Sequence, residues 1–366
     1  MSTSKIVSIQ ALRALAALGV VWFHASSLLA ARTAMTLSWS KLGSAGVDLF
    51  FIVSGFIMWK TAIDRDERVR DFALKRIMRI VPLYWLTTAL VLTITLLVPG
   101  LMHNASHDLG HFVASFFFIA WPHPALPGHF WPPVVPGWTL NYEALFYGVV
   151  AISLALRKKW RLPFCAALLV GLSLCHPLVR PEQTLAFYTD PILLEFLFGL
   201  ILGATRVQLN PALALTAVIC GAGLFLAVGP WATDDNRTLM WGVPLTLLAL
   251  GVIKAPAIVF STSERVWVAL GDASYSLYLT QFLVLPPAAV LASRTLASVH
   301  TAPPVYGVLF VTALVAVGLT AGLLTYRLIE QPIIKLSKLL LSNRDHVGRH
   351  PTPGVTTSKG PPSAFA

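Results

Sequence analysis

Residues 6–30 form one apolar run, IVSIQALRALAALGVVWFHASSLLA, that includes Arg13 and His24. A helix needs about 20 mostly apolar residues to cross a bilayer, so this run predicts a membrane span. Ionisable side chains inside a span are costly and usually functional. Eleven residues make about three helical turns, which places both side chains on one face, about 16 Å apart along the axis. Gln10 shares that face, and the sequence predicts a functional surface there.

Arg13 and His24 also have a simpler interpretation when each is taken alone. An arginine near the end of a span can extend its charge to the membrane surface, and a histidine can form a hydrogen bond to a neighbouring helix. The rest of the chain decides between the two interpretations.

The composition predicts a polytopic membrane protein. Of the 366 residues, 56% are hydrophobic and only 12% are charged, whereas about 25% is usual in soluble domains. The net charge of +11 comes from basic residues at the ends of apolar segments. That placement is typical of membrane topology and anionic lipid headgroups, and no nucleic-acid-binding module is recognisable. The three cysteines lie in apolar segments and support neither a disulfide framework nor a zinc site.

The apolar segments predict an all-α bundle of about ten transmembrane helices with both termini cytoplasmic. The loop from Lys60 to Arg79 and the basic residues near 157–161 are predicted to lie in the cytoplasm. The first run is expected to remain uncleaved, because it is too long and too charged for an ordinary signal sequence. The predicted spans are 6–30, 45–63, 80–99, 138–156, 162–179, 187–205, 211–229, 238–254, 267–292 and 304–327.

Residues 100–137 are predicted to form an outer loop, in part re-entrant. The segment has no lysine or arginine, contains five of the ten histidines, and has six prolines from Pro122 to Pro136. Its apolar piece is too short to cross a bilayer. The spans predict one transmembrane domain over residues 1–341, and the polar tail 342–366 is expected to be disordered in the cytoplasm. No internal repeat is evident, which weakens a transporter built from inverted halves.

The topology divides the polar residues of the spans into two predicted layers. Arg13, Lys75, Arg76, Arg79, Asp272 and Glu330 lie toward the cytoplasm, and His24, Asp48 and Glu143 lie toward the outside. The first layer suits phosphate groups, and the second offers a base and two carboxylates. Alternatively, the basic residues set only the topology, and Glu143 is a structural ion-pair partner.

Several other side chains have two interpretations each. Trp138 and Tyr142 flank Glu143 and either stack on a sugar or belong to the aromatic belt at the membrane surface. Asp190 and Glu195 form either a second polar pocket or contacts to neighbouring helices. His103, His107 and His111 share the spacing of one helix face, but no carboxylate or cysteine stands at ligand spacing. We therefore predict no metal site.

Six short motifs in order resemble the acyltransferase-3 family of integral membrane O-acyltransferases. The resemblance covers roughly residues 6–335, and the opening IQALRALAALGVVWFHA is similar to the branch that acetylates bacterial exopolysaccharides. The motifs are Arg13 with His24 ten residues on, GSAGVDLFFIVSGFIMW (43–59), Arg76-x-x-Arg79-x-x-Pro82, WTLNYEALFY (138–147), GDASYSLYL (271–279) and IEQP (329–332).

The resemblance implies transfer of an acyl group, usually acetyl, from cytosolic acyl-CoA to a hydroxyl of a glycan or lipid-linked sugar at the bacterial inner membrane. It implies that His24 is the catalytic base and Glu143 an active-site carboxylate. Arg13, Arg76 and Arg79 would hold the donor, with Lys75 beside them. Glu143 could orient His24, and an acyl-histidine intermediate stays open. Asp48, Trp138 and Tyr142 are the candidate acceptor-binding residues, and proteins of polysaccharide biosynthesis are possible partners.

Two departures from the family pattern stand out. Gln281 occupies a position where family members often have histidine, and Gly43-Ser44-Ala45-Gly46 replaces a doubled glycine. A transporter or glycan-translocating protein that uses the same intramembrane charges is the alternative function. It would need Arg13 and His24 without consuming acyl-CoA.

Overall fold

A computed structural model describes residues 3–33, 35–98, 108–254, 264–297 and 303–337. These ranges contain thirteen α-helices and no β-strand. The predicted tail 342–366 lies outside the described residues, as do His103 and His107. The helices are α1 Thr3–Thr33, α2 Gly46–Met58, α3 Val69–Leu97, α4 Leu109–Phe116, α5 Gly137–Leu154, α6 Lys158–Cys175, α7 Thr184–Thr189, α8 Leu193–Ala204, α9 Pro211–Val228, α10 Val243–Lys254, α11 Glu264–Asp272, α12 Ser274–Ala297 and α13 Pro303–Thr325.

Eight helical segments of the described chain are long and apolar enough to cross a membrane: Val7–Thr33, Ser40–Ile63, Val69–Leu97, Lys158–Leu178, Thr184–Ala204, Pro211–Trp231, Ser274–Leu296 and Pro303–Ser337. The other two predicted spans are α5, which contains Asn141 and Glu143, and the shorter apolar helix Thr238–Lys254. The prediction of an all-α polytopic helical bundle is confirmed. The cytoplasmic location of the termini stays a prediction.

The central element of the bundle is α2. Apart from Asp48 and Ser54, its sequence is apolar on all sides, and ten of its 13 residues are buried. A helix that is hydrophobic all round belongs in the interior of a large assembly of helices. Accordingly, α2 packs between α1 and α8.

Two glycines permit the closest helix contact of α2. A methyl group added at Gly55 would overlap the carbonyl oxygen of Phe196, and one added at Gly199 would overlap that of Ile52. Small residues allow helix backbones to approach closely within a membrane. Gly55 and Gly199 therefore fix how α2 crosses α8.

The third span begins earlier than its sequence predicts. The prediction placed it at 80–99, whereas α3 runs from Val69 to Leu97 and takes in the charged residues before Ile80. Those residues include neither glycine nor proline. The negative charge of Asp71 in the first turn also stabilises the helix by interacting with the positive end of its dipole. Arg76 and Arg79 are therefore held three residues apart on one rigid helix face.

The predicted span 267–292 is interrupted. Helix α11 ends at Asp272 and α12 begins at Ser274, with Ala273 between them. The break lies against α1, where a methyl group added at Gly271 would overlap the backbone of Gln10. This contact brings the residues beside the break next to Arg13.

Within the described ranges, three wide turns of π-type belong to the helical segments, at Trp59–Ile63, Thr238–Gly242 and Tyr326–Glu330. Such turns each insert an extra residue and are frequent at functional sites. The last one joins α13 to a helical extension that ends at Ser337.

The segment 108–136 folds back onto α3. The Ser115 hydroxyl lies 2.8 Å from the Tyr84 hydroxyl, and the Trp85 indole donates to the Phe116 carbonyl over 2.8 Å. Tyr84 stands near the middle of α3, and Gly137 at the start of α5 packs directly against it. Consequently, α5 begins opposite the middle of α3, and the re-entrant part of the outer loop stays a prediction.

Candidate active site

A cavity of about 100 Å³ lies where α1, α2, α3, α5 and α12 meet. Its charged lining consists of Arg13, Arg76, Arg79 and Glu143. Three guanidinium groups thus face one carboxylate, and the excess positive charge suits an anionic ligand. The sequence had placed Glu143 in a separate outer layer, and that placement is wrong.

The position of Glu143 follows from where α5 begins. Gly137 packs on Tyr84 in the middle of α3, and α5 runs antiparallel to α3 from there. Glu143 is six residues after Gly137, so it lies about 9 Å further along α5, at the level of Arg79. Glu143 accepts hydrogen bonds from Ser54, over 3.4 Å, and from the Tyr147 hydroxyl.

Arg13 is held inside the bundle. It is 8% exposed, and it donates to Ser274 over 2.7 Å and to Gln10 over 3.1 Å. Gln10 in turn donates to Asp272, so both ends of the α11–α12 break contact this face of α1. These contacts exclude the alternative in which Arg13 extends to the membrane surface.

The two arginines of α3 differ in their contacts. The Arg76 guanidinium lies over the rings of Phe72 and Tyr147, at 5.6 and 5.8 Å from their centroids. It donates weakly to Thr61 over 3.4 Å, and its buried Nε has no hydrogen-bond partner among the described residues.

Arg79 forms no hydrogen bond within the described part of the chain, so its donors are available to a ligand. Buried Glu330 interacts electrostatically with Arg79 and Arg13 and accepts from Ser276 over 2.5 Å. Lys75, in contrast, is exposed and forms an ion pair with Glu67, away from the cavity.

His24 lies outside the cavity. It is half-buried in the C-terminal half of α1, its ring centroid is 5.1 Å from that of Phe23, and no hydrogen bond joins it to another described residue. The structure therefore does not bring His24 and Glu143 together. Gln281 is buried on α12 and donates to the Tyr278 carbonyl over 3.2 Å.

The predicted acceptor-binding residues gather in a second cluster, around Arg237. Asp48 is fully buried and accepts two hydrogen bonds from Arg237, over 2.9 and 2.7 Å. The Arg237 guanidinium also lies between the rings of Trp138 and Trp241, at 5.8 and 5.1 Å. Tyr142, which contacts the Trp138 ring edge-on, is the third predicted member.

Asp190 and Glu195 interact electrostatically with Arg237, so they adjoin this cluster. Glu195 is fully buried, and neither of its oxygens has a hydrogen-bond partner within the described ranges.

The sequence analysis missed several residues of both sites. Ser54, Tyr147 and Ser274 all lie in motifs already quoted, and Tyr147 stands one helical turn after Glu143. Arg237 had a weaker signal, as the only basic residue of the 229–237 connection. A buried carboxylate such as Asp48 needs a partner, and Arg237 supplies it.

The described residues include no group of three or more side chains able to hold a metal ion. Of the predicted histidine series, His111 lies within them. It is 1% exposed, and its Nε2 is 2.8 Å from the Trp131 carbonyl oxygen. Burial lowers the pKa of this histidine below its ordinary value.

A family model described as an acyltransferase domain matches residues 6–326. The chain belongs to the acyltransferase-3 family. As a member of that family, the protein is an O-acyltransferase of the multi-pass membrane type, and its helices agree with this assignment.

Curated relatives extend the likeness along most of the chain. It is 35% identical to the exopolysaccharide production protein ExoZ of Rhizobium meliloti (strain 1021) over 298 residues, which cover 80% of this chain and 90% of ExoZ. It is 27% identical to the acyltransferase MdmB of Streptomyces mycarofaciens over 378 residues, 92% of this chain and 95% of MdmB. No solved structure matches this acyltransferase.

Proposed function

We propose that this acyltransferase moves an acetyl group from cytosolic acetyl-CoA to a hydroxyl of a cell-surface or exported glycan, or of its lipid-linked precursor. The observation that carries the donor assignment is the cavity in which Arg13, Arg76 and Arg79 face Glu143. Arginine binds phosphate through planar, bidentate hydrogen bonds, and the Arg79 donors are free for such a ligand. The glycan acceptor is supported by the likeness to ExoZ, whose name refers to exopolysaccharide production.

The donor-binding residues have distinct proposed roles. Arg13 is fixed by Ser274 and Gln10, so it offers a preorganised charge. Arg79 forms no hydrogen bond within the described part of the chain, and Arg76 forms a weak one to Thr61. Lys75 lies outside the cavity and attracts the anionic donor from the surface. Cavities that enclose a whole drug-sized ligand measure about 300–1,000 Å³, so this one suits part of the donor only.

His24 is the proposed general base. A sugar hydroxyl is a weak nucleophile, and a positioned imidazole that accepts its proton contributes about 10²- to 10⁴-fold to the rate. Because the arm of coenzyme A separates its phosphates from the thioester, the phosphate-binding arginines and the base need not be adjacent. Glu143 then acts in the arginine cavity. There it balances the charge of the arginines and accepts hydrogen bonds from Tyr147 and Ser54.

The cluster around Arg237 is the proposed acceptor site. Trp138 is partly exposed and offers a ring on which a sugar can stack. Buried Asp48 positions that ring indirectly, through Arg237, and buried Tyr142 contacts it directly. The proposed location is the bacterial inner membrane, beside other proteins of polysaccharide biosynthesis.

The test is thiol release from acetyl-CoA by purified protein in nanodiscs, with and without a membrane-glycan extract. We expect release to require the extract and to fall by about 10²- to 10⁴-fold in kcat for His24→Ala. His129→Ala, at an exposed loop histidine, is the matched control and should retain activity.

Arg79→Gln should raise KM for acetyl-CoA more than Lys75→Gln does.

Folded wild-type protein that neither binds nor consumes acetyl-CoA with the extract present would refute this donor. Thiol release that persists in folded His24→Ala would refute the assignment of His24 as the general base. Glu143→Gln would then test whether the cavity carboxylate is the base instead. Glycan movement without acyl-CoA consumption would favour the transport alternative.

A further inference from the structure

An apolar groove of about 240 Å³ lies between α3 and α5, next to the arginine cavity. Its walls include Phe72, Ile77, Val81, Phe118 and Gly148. Ile77 is 50% exposed, and Gly148 is also exposed, so the groove opens away from the bundle interior. In a membrane protein, an apolar surface of this kind faces lipid chains.

Arg76 forms part of the wall of both the groove and the cavity. Its guanidinium carbon lies over the rings of Phe72 and Tyr147, and its buried Nε has no acceptor among the described residues. A buried charged donor without a partner is costly, so the site favours an anion that can accept from it. The groove therefore combines an apolar surface with the Arg76 Nε, a charged donor that has no acceptor among the described residues.

We propose that the groove binds a hydrocarbon chain of an anionic phospholipid and that Arg76 donates to the phosphate of that lipid. The occupant follows from two features together, the opening toward the bilayer and the charge complementarity at Arg76. In the predicted orientation, this half of α3 lies toward the cytoplasmic leaflet, whose anionic lipids attract basic residues near the membrane surface. A bound lipid would accept from the Arg76 Nε and hold this side chain at the boundary of the arginine cavity, where its terminal nitrogens stay available to the acyl donor.

Gly148 offers a substitution that fills the groove. A Cβ added there meets no atom within 4 Å, and the same holds for Gly223, on the exposed surface of α9. Gly148→Phe is thus the blocking variant, and Gly223→Phe is its matched control. The probe is phosphatidylglycerol with a photoreactive group in one acyl chain, in nanodiscs without any acyl donor.

We expect the wild type to form crosslinks within 72–81 and 140–151. Gly148→Phe should lose most of them, and Gly223→Phe should retain them. Competition measures the headgroup preference: unlabelled phosphatidylglycerol should displace the probe better than phosphatidylcholine does. Arg76→Gln should reduce this preference by about tenfold, and Lys75→Gln, which removes the neighbouring charge, should change it little.

Three results would overturn the proposal. They are absence of groove crosslinks in the wild type, crosslinks that persist in Gly148→Phe, and equal competition by the two phospholipids. Displacement of the probe by a polyprenyl phosphate in preference to phosphatidylglycerol would assign the groove to a lipid-linked substrate instead. Since no transfer reaction is measured, these outcomes are independent of whether acetyl-CoA is the donor.

Discussion

At the scale of single residues, the pair of Asp48 and Arg237 connects elements that are far apart in sequence. Asp48 lies in the first turn of α2, Arg237 precedes the Thr238–Lys254 helix, and the guanidinium also contacts Trp138 of α5. A buried ion pair adds little net stability compared with apolar residues, but loss of one partner leaves an uncompensated buried charge.

Asp48→Asn should therefore lower the free energy of unfolding by about 3–5 kcal/mol. Denaturation of purified protein in detergent measures this, and the double variant Asp48→Asn/Arg237→Gln should recover part of the loss. Asp71→Asn, which removes the half-buried partner of the exposed Arg68, is the control and should cost less than about 1 kcal/mol. Equal stability of Asp48→Asn and the wild type would show that Arg237 does not depend on Asp48 to compensate its buried charge.

Helical spacing and the quoted motifs were enough to bring Arg13, Arg76 and Arg79 into one site. Glu143 was misplaced because the sequence does not show that α5 begins opposite Tyr84. That depth depends on contacts between the 108–136 segment and α3, which have no periodic signal. The separation of His24 from Glu143 has the same cause. The partnership of Asp48 with Arg237 was hidden by a separation of 189 residues along the chain.

At the scale of elements, the crossing of α2 and α8 depends on small residues at the contact. Gly55→Ala should destabilise the protein by about 1–3 kcal/mol, because the added methyl group overlaps the Phe196 carbonyl and forces the helices apart. Gly171→Ala in α6 is the matched control, since its Cβ would meet nothing within 4 Å.

Thermal unfolding in detergent measures both variants. The control should be unchanged or gain up to about 1 kcal/mol from higher helix propensity. A stable Gly55→Ala protein would mean that α2 and α8 can separate without loss. The sequence indicated a close contact at Ser54-Gly55 but not its partner, because any small residue of another span could have met it.

At the scale of the whole molecule, hydropathy and charge predicted the helical bundle, while the interruptions within spans were not predicted. The break at Ala273 follows Gly271, but a single glycine inside a long helical pattern is tolerated and does not by itself predict an interruption. Tertiary contact of α11 with α1 determines that break. The orientation of the bundle, by comparison, depends on charge distribution, and labelling can test it.

Cysteines placed in the segment before α5 and after it, at the start of α6, should report opposite sides of the membrane. In a protein without its native cysteines, Ala125→Cys should react with an impermeant maleimide added outside intact cells. Lys159→Cys should react only after permeabilisation, because its basic surroundings favour the cytoplasm. Both positions are exposed, so burial does not confound the comparison. Reaction of both residues from one side would contradict a membrane-spanning α5.

The π-type turn at Tyr326–Glu330 gives the Glu330 position an unusual dependence on chain length. One residue advances an α-helix by about 100° of rotation, so deletion of a single residue within this turn would restore regular winding and redirect Glu330 away from Ser276. Frame-preserving insertions and deletions, rather than substitutions, are thus the changes that this part of the chain tolerates least. Chains that differ in length between Thr325 and Gln331 would be expected to arrange the counter-charge of Arg13 and Arg79 differently.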